Sequence, residues 1–306
     1  MHDLIIIGGG CCGLAASIYA ARYNLKTLVI SKEIGGVLNE AHIVENYPGY
    51  RSISGMELMM KIREHAEGLG VELVDDEVGR AEKKNGKFII TTGTKQYESK
   101  TVLLAPGLKR RHLNIPGEDK FAGKGISYCY TCDAPFFKDK IVGVVGGNDS
   151  AALAALLLAQ YAKKVYIIYR KDELRAEPIN KKAVDENKKI EMIYNTNITE
   201  VKGDKVLTTA IFDKPYNGSK EFKLDGLFIE VGSVPSTILA EQLGVKLDDN
   251  KNIIVDRERR TNVEGVYAGG DITDTPMRQA ITAAADGAVA ALSAYQHIKK
   301  KKLEKY

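Results

Sequence analysis

Two stretches of the chain repeat one pattern: a short apolar strand, a glycine-rich turn, an Ala/Leu-rich helix and a second apolar strand. The first runs from Leu4–Ile7 through Gly8-Gly9-Gly10-Cys11-Cys12-Gly13 and a helix containing Ala20 and Ala21 to Thr27–Ile30. The second runs from Ile141–Val145 through Gly146-Gly147-Asn148-Asp149-Ser150-Ala151 and a helix reaching Leu158 to Val165–Ile168. Strands that are apolar throughout and alternate with helices predict parallel sheets covered on both faces. Further strands are expected at Phe88–Thr91, Thr101–Leu104, Ile253–Val255 and Gly265–Ala268, with a crossover at Ile115-Pro116-Gly117-Glu118. A last helix is expected from about Met277 to His297, with Ile281, Ala284, Ala288, Leu292 and Tyr295 on one buried stripe. The second repeat interrupts the first, so the expected domains are 1–115 with 247–306, and 116–246.

In each repeat the turn carries a dinucleotide signature, so the fold class expected is α/β with two Rossmann-like (FAD/NAD(P)-binding) domains, the second inserted into the first. Gly8, Gly10 and Gly13 fill a complete G-x-G-x-x-G, in which the glycines turn the chain, admit a pyrophosphate and let the helix pack on the strand. The nearest acid to the place of an adenosine ribose partner is Glu33. In the second turn Gly146 and Ala151 keep their places, but Asn148 stands where the second glycine should be and is expected to crowd the phosphates. Arg170, Lys171 and Arg175 follow the next strand, where cations suit a 2′-phosphate and favour NADPH over NADH.

Composition narrows the class. The 306 residues are 44% hydrophobic and 27% charged, enough for two cores, and the net charge of +4 lacks the excess of a nucleic-acid binder. No run of 18 apolar residues occurs, and Met1-His2-Asp3 has no basic leader, which reads as a cytoplasmic protein without a membrane role. The run Lys299–Lys302 complements a helix C-terminus. Cys11 and Cys12 sit where small residues are needed and read as packing residues. Cys129-Tyr130-Thr131-Cys132-Asp133 is different: a C-x-x-C pair cycles between dithiol and disulfide, and Asp133 can shuttle the proton. Zinc would need further clustered ligands, and His2, His42, His65, His112 and His297 are scattered. Near the end, Gly269-Gly270-Asp271 and Pro276-Met277-Arg278-Gln279-Ala280 read as a strand-to-helix turn in which Pro276 starts the helix. The helix N-terminus there can stabilise charge on a reduced flavin, and Asp271 can accept from ribityl hydroxyls.

With these pieces in order, the sequence resembles the low-molecular-weight thioredoxin reductases, flavoprotein pyridine nucleotide-disulfide oxidoreductases, over almost its whole length. Gly8–Gly13, Gly35-Gly36, Glu45–Gly49, Ile115–Glu118, Ser127–Asp133, Gly146–Ala151, Arg170–Arg175, Gly269–Asp271 and Arg278–Ala280 carry the likeness. The resemblance implies a homodimer that passes electrons from NADPH through FAD to a Cys129–Cys132 disulfide, and from the dithiol to thioredoxin or a similar small protein. It implies FAD contacts from Gly36, Asn46, Val78, Ala105, Gly107, Gly270, Asp271, Arg278, Gln279 and Ala280, and places Arg170, Lys171 and Arg175 on the NADPH phosphate. It also implies a second domain that rotates, with hinges expected near Pro116–Gly117 and residues 243–248. Asn148, Pro106, Leu153-Ala154 (for an acidic pair) and Tyr169-Arg170-Lys171 (for His-Arg-Arg) depart from the family pattern. These departures keep weak NADPH binding or another donor, ferredoxin or a deazaflavin, open; a non-catalytic flavin redox sensor is a separate alternative.

Overall fold

The computed structural model describes residues 1–41 and 43–300; His42, Lys301 and Lys302 lie outside the described residues. The chain divides into two units, Met1–Lys109 with the stretch from Val234 onward, and Arg110–Ser233. The expected hinge positions, Pro116–Gly117 and 243–248, therefore fall inside the second and the first unit. The two chain connections are themselves short strands, β7 (Leu108–Arg110) and β16 (Ser233–Pro235), which pair with each other.

The first unit is built on β1 (His2–Ile7), β2 (Thr27–Ser31), β3 (Glu72–Asp75), β4 (Val78–Lys84), β5 (Lys87–Thr92), β6 (Gln96–Leu104) and β17 (Val266–Ala268). Its helices are α1 (Cys11–Arg22), α2 (Gly55–Gly68), α7 (Ile238–Gln242) and α8 (Ala280–Lys299). The strands lie in the order β3-β2-β1-β6-β5-β4, with β17 also on β6. β1 is central, pairing parallel with both neighbours, so Leu4, Ile5 and Ile6 meet core on both faces and are fully buried. That double burial is why the strand reads as continuous apolar sequence.

Helix α8 departs from expectation. It starts at Ala280, with Gln279 as its N-cap in a capping box with Thr282, so Pro276 precedes the helix instead of opening it. The buried face consists of Ala283, Asp286, Gly287, Ala290, Ala291, Ser293 and Ala294, while Ile281 is exposed and Ala284, Ala288, Leu292 and Tyr295 are half-buried. Close approach is the reason: α8 lies so near α1 that a Cβ on Gly287 would overlap the Cys12 carbonyl oxygen. Only small residues fit the seam, and Tyr295 moves to its flank, stacked on Tyr23 at 4.9 Å. Ile253–Val255 likewise forms no strand; Ile253 is buried and bridges singly to Leu247 and Thr273.

The second unit holds β8 (Ile126–Ser127), β9 (Ile141–Val145), β10 (Lys164–Ile168), β11 (Ile190–Ile193), β12 (Ile198–Gly203), β13 (Leu207–Tyr216), β14 (Ser219–Lys223) and β15 (Gly226–Ile229). Its helices are α3 (Glu118–Phe121), α4 (Tyr130–Asp133), α5 (Asp149–Tyr161) and α6 (Pro178–Glu186). Five strands form a parallel sheet in the order β11-β10-β9-β15-β8, while β12-β13-β14 make an antiparallel meander. The chain leaves β9 toward β10 on one side and returns to β15 on the other, which creates a crevice at the carboxyl ends of β9 and β15. No helix among the described residues is long and apolar enough to cross a membrane.

The α1–α8 seam yields a paired test. Gly287→Ala should lower the free energy of unfolding by about 2 kcal/mol through overpacking, although alanine favours helix. Gly68→Ala at the end of α2, where a Cβ meets open space, should be neutral or stabilising. Denaturant unfolding of the two variants measures the contrast.

Candidate functional site

The first unit presents a cradle of bare backbone. Gly8 has φ +109° and no room for a side chain, since a Cβ would overlap the Ala105 carbonyl; its amide bonds the Ile30 carbonyl at 2.8 Å. Ala105 in turn donates to Ile7 at 2.8 Å, so the exits of β1, β2 and β6 converge on the turn. A Cβ on Gly13 would overlap the Gly8 carbonyl, whereas one on Gly10 would meet nothing within 4 Å. No side chain caps α1. The turn thus offers helix-start amides that no side chain caps and an open approach at Gly10, which fits a pyrophosphate. The loop after β2 completes it: Gly35 donates to the Gly9 carbonyl at 2.8 Å, and Gly36 faces the Gly10 Cα.

Other expected residues gather around this turn. Glu33 is exposed and accepts from Asn39 Nδ2 at 3.2 Å. The Asp76 amide bonds the Ser31 carbonyl at 3.0 Å, which brings the start of β4, and Val78, to the end of β2. Asn46 and Gln279, 233 positions apart, share a hydrogen bond of 3.0 Å, with Ala280 opening α8 beside them. Arg278 donates to Asn252 Oδ1 at 2.7 Å. Gly107 accepts from the Ser236 amide at 3.4 Å. Burial pushes the Asp271 carboxyl upward; Arg278 pulls it down and Asp286 adds to the rise. Cys11 and Cys12 are buried in the core, the Cys11 thiol pushed up to about 12 by burial, which keeps it an inert packing group.

Asp286, which sequence reasoning missed, holds this end of the site. Its Oδ2 accepts the Gly270 amide at 3.0 Å and its Oδ1 pairs with Arg259 at 2.6 Å. A lone acid in the small, apolar run 283–291 was the available signal, because a carboxylate on a buried helix face requires partners.

In the second unit three adjacent strand ends line up: β8 leads to Cys129, β15 to Glu230 and β9 to Gly146. Cys129 and Cys132 form a disulfide across the single turn of α4, with Cys129 half-buried and Cys132 exposed. The Cys132 amide donates to Cys129 Sγ at 3.3 Å, Thr131 Oγ1 lies 3.3 Å from the same sulfur, and Ser127 Oγ accepts the Cys129 amide at 3.0 Å. The first two contacts set an amide and a hydroxyl against the Cys129 sulfur, and the third fixes the backbone that carries it. Asp133 closes the turn, its amide bonded to the Cys129 carbonyl at 3.1 Å.

At Gly146 a Cβ would overlap the Glu230 carbonyl, the same exclusion as at Gly8. Asn148 does not simply crowd the turn: it is the N-cap of α5, its Oδ1 accepting the Ala151 amide at 3.3 Å. The Arg175 amide bonds the Gly147 carbonyl at 2.8 Å, and Asp149 Oδ1 accepts from the Glu177 amide at 2.7 Å and from Asn180 at 2.9 Å. Arg175 is thereby held beside the Gly146 turn, and Arg170 and Lys171 follow the end of β10, whose Ile168 carbonyl accepts the Gly146 amide at 3.2 Å. Leu153 is exposed and Ala154 buried. Glu230, also missed, is pushed up to about 7 by burial, with Arg110 pulling the other way. The Tyr130 phenol is pushed up to about 12 by burial and then by Glu230. Glu118, buried at the start of α3, accepts from the Leu113 amide at 3.0 Å, the Asn114 amide at 2.6 Å and the Tyr128 hydroxyl at 2.7 Å, which ties the crossover to the disulfide loop.

Residues 2–287 match the family model for the pyridine nucleotide-disulphide oxidoreductases. The chain is 40% identical to a thioredoxin reductase of Peptoclostridium acidaminophilum over 97% of each chain. It is 37% identical to one of Bacillus subtilis, covering 97% of this chain and 95% of that one. Among solved structures, Lactococcus lactis thioredoxin reductase superposes with a TM-score of 0.94 at 37% identity, covering 98% of this chain and 100% of that one. The thioredoxin reductase of T. acidophilum gives 0.91 at 38% identity, covering 96% and 98%.

Two substitutions test the charge arrangements. Asp286→Ala strands Arg259 and frees the Gly270 amide, and should cost about 3 kcal/mol of stability and loosen flavin retention at least about tenfold, read from flavin fluorescence on dilution. Glu230 binds its proton more tightly in the folded chain than at the ordinary 4.5, so native stability falls as pH rises from about 4.5 to about 7. Glu230→Gln does not titrate and should unfold with about 3 kcal/mol more free energy than wild type at pH 8, and less than about 1 kcal/mol more at pH 5.

Proposed function

The chain belongs to the pyridine nucleotide-disulphide oxidoreductase family, and from that premise we propose that it is a thioredoxin-disulfide reductase acting with FAD and NADPH. The disulfide of Cys129 and Cys132 at the strand ends beside the Gly146 turn is the observation that carries this reading. Bound FAD supplies the relay of two electrons from NADPH to that disulfide. The protein's own residues do the rest. Gly8, Gly10, Gly13 and Gly36 hold the FAD pyrophosphate, Glu33 and Val78 border its adenosine, and Asn46, Ala105, Gly107, Gly270, Asp271, Arg278, Gln279 and Ala280 line the flavin end. Gly146, Asn148 and Ala151 take the NADPH phosphates, while Arg170, Lys171 and Arg175 receive the 2′-phosphate.

Two electrons and two protons convert the disulfide to a dithiol. One thiolate then attacks the disulfide of thioredoxin, and the second sulfur displaces the mixed disulfide, returning the Cys129–Cys132 bond and releasing a reduced partner. Asp133 moves the proton each exchange requires. A sulfur pair that serves a flavin in one half-reaction and a protein in the next requires a swing on the two connections between the units. The protein works as a homodimer in the cytoplasm on this reading. The held cationic segment beside an α5 N-terminus supports NADPH rather than ferredoxin or a deazaflavin as donor.

Anaerobic mixing checks the chemistry. NADPH should bleach the flavin absorbance of wild type, Cys129→Ser and Cys132→Ser alike, while both variants lose thioredoxin reduction by at least about a thousandfold. Thioredoxin turnover by either serine variant would refute the relay.

A further inference from the structure

The second unit keeps a carboxyl that its own fold does not use. Glu230 Oε1 is buried and has no hydrogen-bond partner in the chain. The charged and titratable groups that act on it are Arg110, on β7, and Tyr130, on α4. A buried acceptor left unsatisfied destabilises the native state, and such a group is retained where something outside the chain supplies the donor.

Topology says what that donor is. A dinucleotide lies across strand ends where the connections diverge, here between β9 and β15. Its phosphates belong at the Gly146 turn, and its adenosine end on the β10 side, where the segment after Ile168 bonds back to Gly147. The remaining end must pass over β15. Glu230 is the first residue beyond that strand, its amide bonded to Val145 at 2.8 Å and its carbonyl against Gly146. Leu153 and Ala154, in α5 beyond the Gly146 turn, offer no side-chain acceptor.

We propose that Glu230 is a positioning residue for the nicotinamide riboside half of the pyridine dinucleotide, its free carboxylate oxygen accepting a hydrogen bond from a donor on that half. This assignment rests on the reading that the second unit binds NADPH. It explains why a carboxyl stands where a glutamine would fold better.

The test is equilibrium binding to the oxidised holoprotein at pH 8, comparing wild type, Glu230→Gln and Glu230→Ala. The probes are NADP+ and 2′,5′-ADP, which shares the adenosine and 2′-phosphate but lacks the nicotinamide riboside. Glu230→Ala should bind NADP+ about tenfold more weakly and 2′,5′-ADP as wild type does, with Glu230→Gln, which keeps an acceptor oxygen, in between on NADP+. Unchanged flavin absorbance and an undiminished unfolding midpoint establish that the variants are folded. Equal behaviour of the Ala variant and wild type on both probes, or an equal loss on both, overturns the assignment while leaving nucleotide binding intact. A wild type that binds neither probe overturns the nucleotide reading and the assignment together.

Discussion

In both units a parallel strand runs into a turn so tightly covered by a neighbouring strand exit that a side chain cannot be placed there. At Gly8 the obstacle is the Ala105 carbonyl, at Gly146 the Glu230 carbonyl. Everything downstream follows from this crowding. Because the strand exits close on the turn, each following helix starts there: α1 with no side-chain cap, α5 with Asn148 accepting the Ala151 amide, and such a backbone turn suits a negative phosphate group. Function can then be added by what stands at the neighbouring strand ends. The first unit joins Asn46 to Gln279 and half-buries Asp271 beyond β17, and the second sets a disulfide and a carboxyl beyond β8 and β15 and a basic segment beyond β10.

The chemistry depends on how each charge is housed. Cys11 and Cys12 are sealed in apolar packing, Cys11 against Met59 of α2 and Cys12 against α8, and stay neutral thiols, although they open the helix that follows the first glycine turn. Cys129 is housed in the opposite way: its sulfur is bonded to that of Cys132, which is open to solvent, and an amide and a hydroxyl lie against it. Asp286 and Glu230 form a second such contrast. The first meets Arg259 and the Gly270 amide and so holds a loop in place; the second has an oxygen that meets nothing in the chain. A paired buried acid supports structure, and an unpaired one is a candidate for ligand contact.

Much of this was legible in the residues. The two glycine turns, the apolar strands flanking them, the inserted arrangement and the C-x-x-C pair are local patterns, because double burial demands uninterrupted apolar strands and tight turns demand glycine. Pairings such as Asn46 with Gln279 were reachable only through resemblance to a family, since no local rule links positions so distant. The buried face of α8 was misread because periodicity weighs large apolar residues, while the actual constraint was room: Gly287 against Cys12 selects alanine, and Ile281 is left outside. Ile253–Val255 has strand composition, yet no neighbouring strand runs alongside it.

The amino-acid order alone determined the α/β class, two nucleotide-binding repeats and a redox-active sulfur pair, because each is encoded within a few residues of backbone geometry or bonding. Tertiary structure decided which acids are partnered, how Asn148 is used and which strand ends stand side by side. Those outcomes depend on distances between segments far apart in the chain, and burial acts on a carboxyl only once those segments have closed around it.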